Sequence, residues 1–261
     1  MNMKYSIIGA ALVVVGVGIG AAGTILTQPQ QTNTELTEQQ AKAIKEKAAK
    51  EGEHLSYADQ KDWTFESGDA QSPINIESSD FTDMDAGSNL VFNYDNHFEN
   101  VVNNGHAIEA EIGGTADIDG RTFNLAQFHF HAESEHTINQ KHTPIEAHFV
   151  NKSADGRIAV VAVLLKSGDA NPAFQTVLDN VGKKKEAELD INELLPTNHS
   201  YYHYNGSLTT PPLTENVEWY VLKHQVEVSP AQIKAFHKYY THNNRDLQAL
   251  DARTILEYNE N

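Results

Sequence analysis

The 261-residue chain carries a formal net charge of −17, which argues against general nucleic-acid binding or adhesion to an anionic surface. Its 39% apolar and 8% aromatic content suits a folded protein with enough chain to bury a sizeable core. There is no cysteine, so disulfides, thiolate zinc sites and cysteine nucleophiles are excluded together.

The chain opens with a lone basic residue, Lys4, followed by an uncharged apolar run from Ile7 to Leu26. About twenty apolar residues can span a bilayer, whereas a cleavable signal usually has a shorter apolar region. The run fits an uncleaved anchor, and Ala21-Ala22-Gly23 offers a small-residue cleavage site. Either mode predicts export, to the outer face of the membrane, the periplasm or the medium; membrane contact through residues 7–26 follows if the run is retained. Residues 27–53 turn to Gln, Thr, Glu, Lys and Ala, with Thr37 as an N-cap and Gly52 as a stop. Their apolar positions are mostly Ala, which predicts a solvated spacer helix. Residues 1–53 hold five Lys against five Asp and Glu, so the whole negative charge belongs to residues 54–261.

From His54 onward the pattern becomes β-rich. VVNNGHAIEAEIGG, RTFNLAQFHFHA, PIEAHFVN, IAVVAVLLKSG and VEWYVLKHQVEVS read as strands by alternation or by short apolar runs. Two helices interrupt them. In NPAFQTVLDNVG, Asn171 is the cap, Pro172 opens the first turn, Phe174, Val177, Leu178 and Val181 share a face, and Gly182 ends it. SPAQIKAFHKYY repeats the device with Ser229 and Pro230. The reading is one mainly β domain with short helices over residues 54–261.

Within it, QFHFH (127–131) sets two histidines against two phenylalanines. On a strand, Gln127, His129 and His131 face one way and Phe128 and Phe130 the other. Imidazoles about 6.5 Å apart along a strand can share a metal ion, and each needs its second ring nitrogen held. Gln127 suits that role for its neighbour. On PIEAHFV, Glu146 and His148 share a face; if this strand pairs beside the first, His148 makes a third ligand and Glu146 can orient it. Three imidazoles with an open position suit a catalytic zinc ion better than a structural one. Spacing alone leaves rivals open. An isolated HxH is also a common surface or core pair, and His129, His131 and Glu135 match the first metal motif of cupin barrels. A cupin also needs a Gly-rich second motif with a distant His, whereas the next well-placed His comes 13 residues after Glu135 with no PxG before it.

AQSPINI (70–76), NNGHA (103–107), QFHFH (127–131), SEHT (134–137), IEAHFV (145–150) and GSLTTPPLTENVEW (206–219) together resemble the α-class carbonic anhydrases, in family order, from about Tyr57 to Arg245. The resemblance implies a large twisted, mostly antiparallel central sheet with peripheral helices, and zinc-dependent interconversion of CO₂ and bicarbonate. By it His129, His131 and His148 would be the zinc ligands. Thr209 would accept the proton of zinc-bound hydroxide, with Glu135 holding the Thr209 hydroxyl. An ionised carboxylate only accepts, so that hydroxyl must donate to it and accept from the nucleophile. Thr210 would lie beside the substrate. Val150, Val160, Leu208, Val217 and Trp219 would form an apolar wall suited to a small uncharged molecule. His106 would be the proton shuttle, a role that a group of pKa near 6.5 fits. Tyr57 and Asn104 would line the solvent network, with Tyr204 near it.

The sequence departs from the family at Leu55, where members commonly carry Trp, and at Ala132, where animal members carry Trp. The remaining histidines, His136 among them, read as surface or structural, and His136 as facing away from Glu135. The competing functional class is a noncatalytic surface-binding module on the same scaffold, against which the intact ligand set and the Thr209/Glu135 pair argue. The sequence specifies no oligomeric state.

Overall fold

In this computed structural model the described residues are 55–260, apart from 64–67, 80, 85–88 and 184. The expected export segment 1–26, the spacer helix 27–53 and His54 lie outside them. Among the described residues no helix is long and apolar enough to cross a membrane.

Alternation builds the sheet. The strands are β1 (Asn75–Ile76), β2 (Thr82–Asp83), β3 (Val91–Asn103), β4 (Ile108–Ile118), β5 (Arg121–His131), β6 (Thr137–Ile138) and β7 (Ile145–Ser153). Then come β8 (Ile158–Ser167), β9 (Ala187–Glu188), β10 (Tyr201–Ser207), β11 (Glu215–Leu222), β12 (Val226–Val228) and β13 (Leu256–Tyr258). The main sheet runs β2-β13-β10-β11-β8-β7-β5-β4-β3-β9, with β12 also on β8. Its pairs are antiparallel except β11–β8, β12–β8 and β13–β2, so the mostly antiparallel expectation holds. The two ends of this path, β2 and β9, are two-residue strands, which leaves little open edge for another chain to pair with.

Two expected strands are each broken. Residues 101–114 divide between β3 and β4 at the turn through Asn104-Gly105, where Gly105 has φ +94°. Residues 217–229 divide into β11 and β12, both parallel to β8. The β4–β5 turn is a two-residue hairpin, Asp119-Gly120, with φ of +49° and +69°; glycine reaches that region freely and aspartate tolerates it.

The sheet separates two apolar layers. Phe128, Phe130, Ala147, Phe149, Val161 and Val163 face one side, where α1 (Pro172–Asn180) and α2 (Pro230–Phe236) cover them. Phe130 meets Phe174 of α1 at 5.0 Å and Phe236 of α2 at 6.2 Å between ring centroids. Burying each such side chain contributes about 1.5–3 kcal/mol. Both helices start as the sequence predicts: the Asn171 side chain accepts from Phe174 N, and Ser229 and Gln232 form a reciprocal capping box. Val160, Ala162, Val217, Trp219 and Val221 form a second apolar cluster on the opposite side. The odd–even split of β5 and β7 puts the metal-binding candidates on this second side.

Candidate metal centre

β5 and β7 are antiparallel neighbours in a register that sets His129 directly opposite His148. Alternation places His131 on the same face, so the three imidazoles converge with ring centroids 4.7–5.2 Å apart. One ligand nitrogen from each lies within 4.8 Å of the others. His131 and His148 are buried, and His129 is partly exposed.

Each ring is pinned by one nitrogen. His129 Nδ1 is 2.8 Å from Gln127 Oε1, and His131 Nδ1 is 2.6 Å from the Asn243 carbonyl. His148 Nε2 is 2.8 Å from Glu146 Oε1. A proton on each pinned nitrogen leaves the other as a lone pair: Nε2 of His129 and His131, and Nδ1 of His148. His131 Nε2 is buried without a hydrogen-bond partner, as a group meant for a metal ion should be. Desolvation lowers the pKa of His129 and His131, reinforced at His129 by the charges of His131, His148 and His106 and opposed at His131 by Glu135. The neutral form, the one that ligates, is therefore favoured. Three neutral nitrogens with a free fourth position suit zinc.

Behind the three histidines runs a buried polar chain. Glu146 Oε1 also accepts from His136 Nδ1 at 2.7 Å, and Oε2 accepts from His136 N at 2.8 Å. His136 Nε2 lies 2.6 Å from the Tyr204 hydroxyl, which donates to Ser72 Oγ at 2.8 Å. Tyr204 thus belongs to this interior chain, and burial pushes its phenol well up. His136 is structural, as expected, but does not face away on a strand. β5 ends at His131 and the following turn redirects the chain, so strand parity no longer applies.

Glu135 is fully buried. Its Oε1 accepts from Arg245 N at 2.8 Å, while Oε2 has no hydrogen-bond partner and lies 3.9 Å from His148 Nδ1. Thr209, itself buried, and Thr210 sit in the loop between β10 and β11. Leu208 N donates to Thr214 O and Leu213 N to Thr210 O, closing that loop. Gln71 fastens it, with Nε2 donating to Leu213 O at 3.3 Å and Oε1 accepting from Ser207 Oγ and Arg245 Nη1.

Val160, Val217 and Trp219 are buried in the second apolar cluster, with Val150 and Leu208 packed at its edge. The Trp219 ring is 4.9 Å from that of His148, so this cluster adjoins the three histidines. His106 lies in the β3–β4 turn, and Asn104 Oδ1 accepts from His106 N and Ala107 N. The Tyr57 hydroxyl is buried with no partner, and the Trp63 ring packs edge-on against it at 5.4 Å. Burial and then the Glu135 charge push this phenol up. Trp63 supplies the aromatic contact that Leu55 cannot.

Gln71, Asn243 and Arg245 were not singled out from the sequence. Their polar atoms act at sequence separations above one hundred, and only the AQSP motif and the Arg245 end of the resemblance marked their neighbourhood.

Residues 58–259 match the family model described as eukaryotic-type carbonic anhydrase. A carbonic anhydrase of Pectobacterium carotovorum is 40% identical over 200 residues, covering 73% of this chain and 81% of its own. One from Klebsiella pneumoniae is 38% identical over 216 residues, covering 78% and 87%. The α-carbonic anhydrase of Thermovibrio ammonificans, solved with the inhibitor sulfanilamide, superposes with a TM-score of 0.69 at 43% identity, over 72% of this chain and 87% of that one. The Photobacterium profundum α-carbonic anhydrase gives 0.68 at 39% identity, over 74% and 91%. With a three-histidine site of the right chemistry and a match along nearly all of the described residues, the chain belongs to the α-class, eukaryotic-type carbonic anhydrases, zinc enzymes that hydrate CO₂.

Proposed function

We propose that the chain hydrates CO₂ through a division of labour among its own residues, carried by one observation. Three imidazoles on adjacent strands each have one nitrogen pinned and the other left for a single ion. Zinc held there supplies Lewis-acid activation of water. In this reading the Thr209 hydroxyl turns to donate to Glu135 Oε2, a buried carboxylate oxygen that has no hydrogen-bond partner in the structure, and can then only accept from the nucleophile and orient it. Val150, Val160, Leu208, Val217 and Trp219 hold CO₂ against the site, with Thr210 alongside. His106 takes the proton at a ring nitrogen and passes it to buffer, with Tyr57 and Asn104 ordering the water between.

Residues 54–261 are the catalytic domain, 27–53 a spacer, and 1–26 an export signal or an anchor in contact with the membrane. Mass spectrometry of the mature N-terminus from the native cell is expected to show either a chain cut near residues 21–23 or one intact from Met1 in the membrane fraction. Recovery of the intact chain from the cytoplasm would count against export.

Purified protein is expected to hold one zinc per chain and to show sulfonamide-sensitive CO₂ hydration in stopped flow. Full zinc occupancy without such hydration would favour the noncatalytic module instead.

A further inference from the structure

The turn that carries His106 is held from outside by the segment following α2. Within the turn, Asn104 N donates to Ala107 O at 3.2 Å, and Asn104 Oδ1 accepts from His106 N at 3.2 Å and Ala107 N at 2.8 Å. Gly105 N donates to Asn103 Oδ1 at 3.1 Å. The Tyr240 hydroxyl donates to that same Asn103 oxygen.

Three residues further on, Asn243 grips the other side. Its Nδ2 donates to the His106 carbonyl at 2.9 Å and to the Phe130 carbonyl at 3.0 Å. Its Oδ1 accepts from Ala132 N at 2.8 Å, and its backbone carbonyl pins His131 Nδ1 at 2.6 Å. One short segment therefore ties the His106 turn to a metal ligand and to the end of β5.

We propose that Tyr240 is a positioning residue for proton export: together with Asn243 it fixes the backbone of residues 103–107 relative to the metal centre, so the His106 ring moves on a stationary base. The inference rests on the reading of His106 as the shuttle. A proton relay through water depends steeply on the separation of its ends, and a backbone displaced by about 1 Å can slow a positioned step by up to about a hundredfold. Asn104 closes the turn internally and the β4–β5 ladder starts at Ile108 beyond it, while Tyr240 and Asn243 tie the turn to the segment whose Asn243 carbonyl also pins His131. Burial pushes the Tyr240 phenol up to about 12, so it remains a donor over the working pH range.

Asn243 is a poor probe, because it touches His131. Tyr240→Phe removes one oxygen and no ring. In stopped-flow CO₂ hydration by the zinc-loaded full chain at low buffer, Tyr240→Phe is expected to lower kcat by about 3- to 10-fold. The ratio kcat/KM, which does not include proton export, should be unchanged, and added imidazole should restore kcat. Asn103→Ala removes the acceptor from the other side and serves if the first variant folds poorly. The double variant should be no slower than Asn103→Ala alone, because that change already deletes the Tyr240 bond along with the one from Gly105 N.

His106→Ala, run in parallel, is expected to be slower still and also rescued. If His106→Ala is slowed while Tyr240→Phe and Asn103→Ala match wild type, the clamp is overturned and the shuttle stands. If His106→Ala matches wild type, the shuttle reading fails and the clamp with it. A loss of kcat/KM equal to the loss of kcat, without rescue, would make Tyr240 merely structural and overturn the proposal.

Discussion

Glu146 has no solvent contact, and burial by itself pushes its carboxyl up. His136 and His148, through charge and hydrogen bonds, outweigh that and hold it well below the usual carboxylate range. It stays an acceptor for both rings, which fixes His148 with Nε2 protonated and Nδ1 free. Glu146→Gln keeps one acceptor oxygen: placed on the two rings it sets the NH₂ against the His136 backbone N–H, and placed on that N–H it sets the NH₂ against both rings, so a donor meets a donor either way. Zinc affinity is expected to fall about 10- to 100-fold, read by competition with a chelator. The parity of Glu146 and His148 was legible on one strand because alternation is local. The role of His136 was not, since its contacts with Glu146 and Tyr204 come from two different directions in the fold.

At the scale of elements, the helices were the easiest to read, because their start signals lie within four residues of one another. Asn171 does more than cap: its Nδ2 also donates to Glu193 O at 2.7 Å, and the residue is nearly buried. Asn171→Ala is therefore expected to lower unfolding stability by about 1–2 kcal/mol in denaturant titration. Zinc content and hydration rate should be retained, because α1 covers the sheet face opposite the metal centre. Strand ends were harder. Alternation runs on through the turn at Asn104-Gly105 and the break after Leu222, and only pairing with β5 and β8 shows where each ladder stops.

Across the molecule, Arg121 and Glu218 lie 97 positions apart and meet through two bonds of 2.8 and 2.5 Å. Partial burial raises the Glu218 carboxyl, but Arg121 outweighs it and the net shift is downward from 4.5. A carboxyl whose pKa is depressed by folding adds stability above its unfolded value, and loses it as pH falls through the folded one. Glu218→Gln is thus expected to lower stability by about 1 kcal/mol at neutral pH, the pair being partly exposed. In thermal melts the gap from wild type should close progressively below about pH 4.5. A gap that persists at lower pH would mean that packing, not charge, accounts for the loss.

The sequence by itself determined the two-faced strand at 127–131, the capped helices and the set of histidines available to a metal. These depend on periodicities of two or 3.6 residues and on neighbours within a few positions. The order of six motifs also carried the family resemblance, and with it the zinc and CO₂ chemistry. Only the tertiary structure decided that His129 stands opposite His148, because register between β5 and β7 is a property of two strands and the whole sheet. It alone set the Asn243 carbonyl on His131, Gln71 under the Thr209 loop and Tyr240 over the turn of His106. Hydrogen bonds across more than a hundred residues leave no period in the chain; they exist once the packed layers have brought their donors and acceptors together.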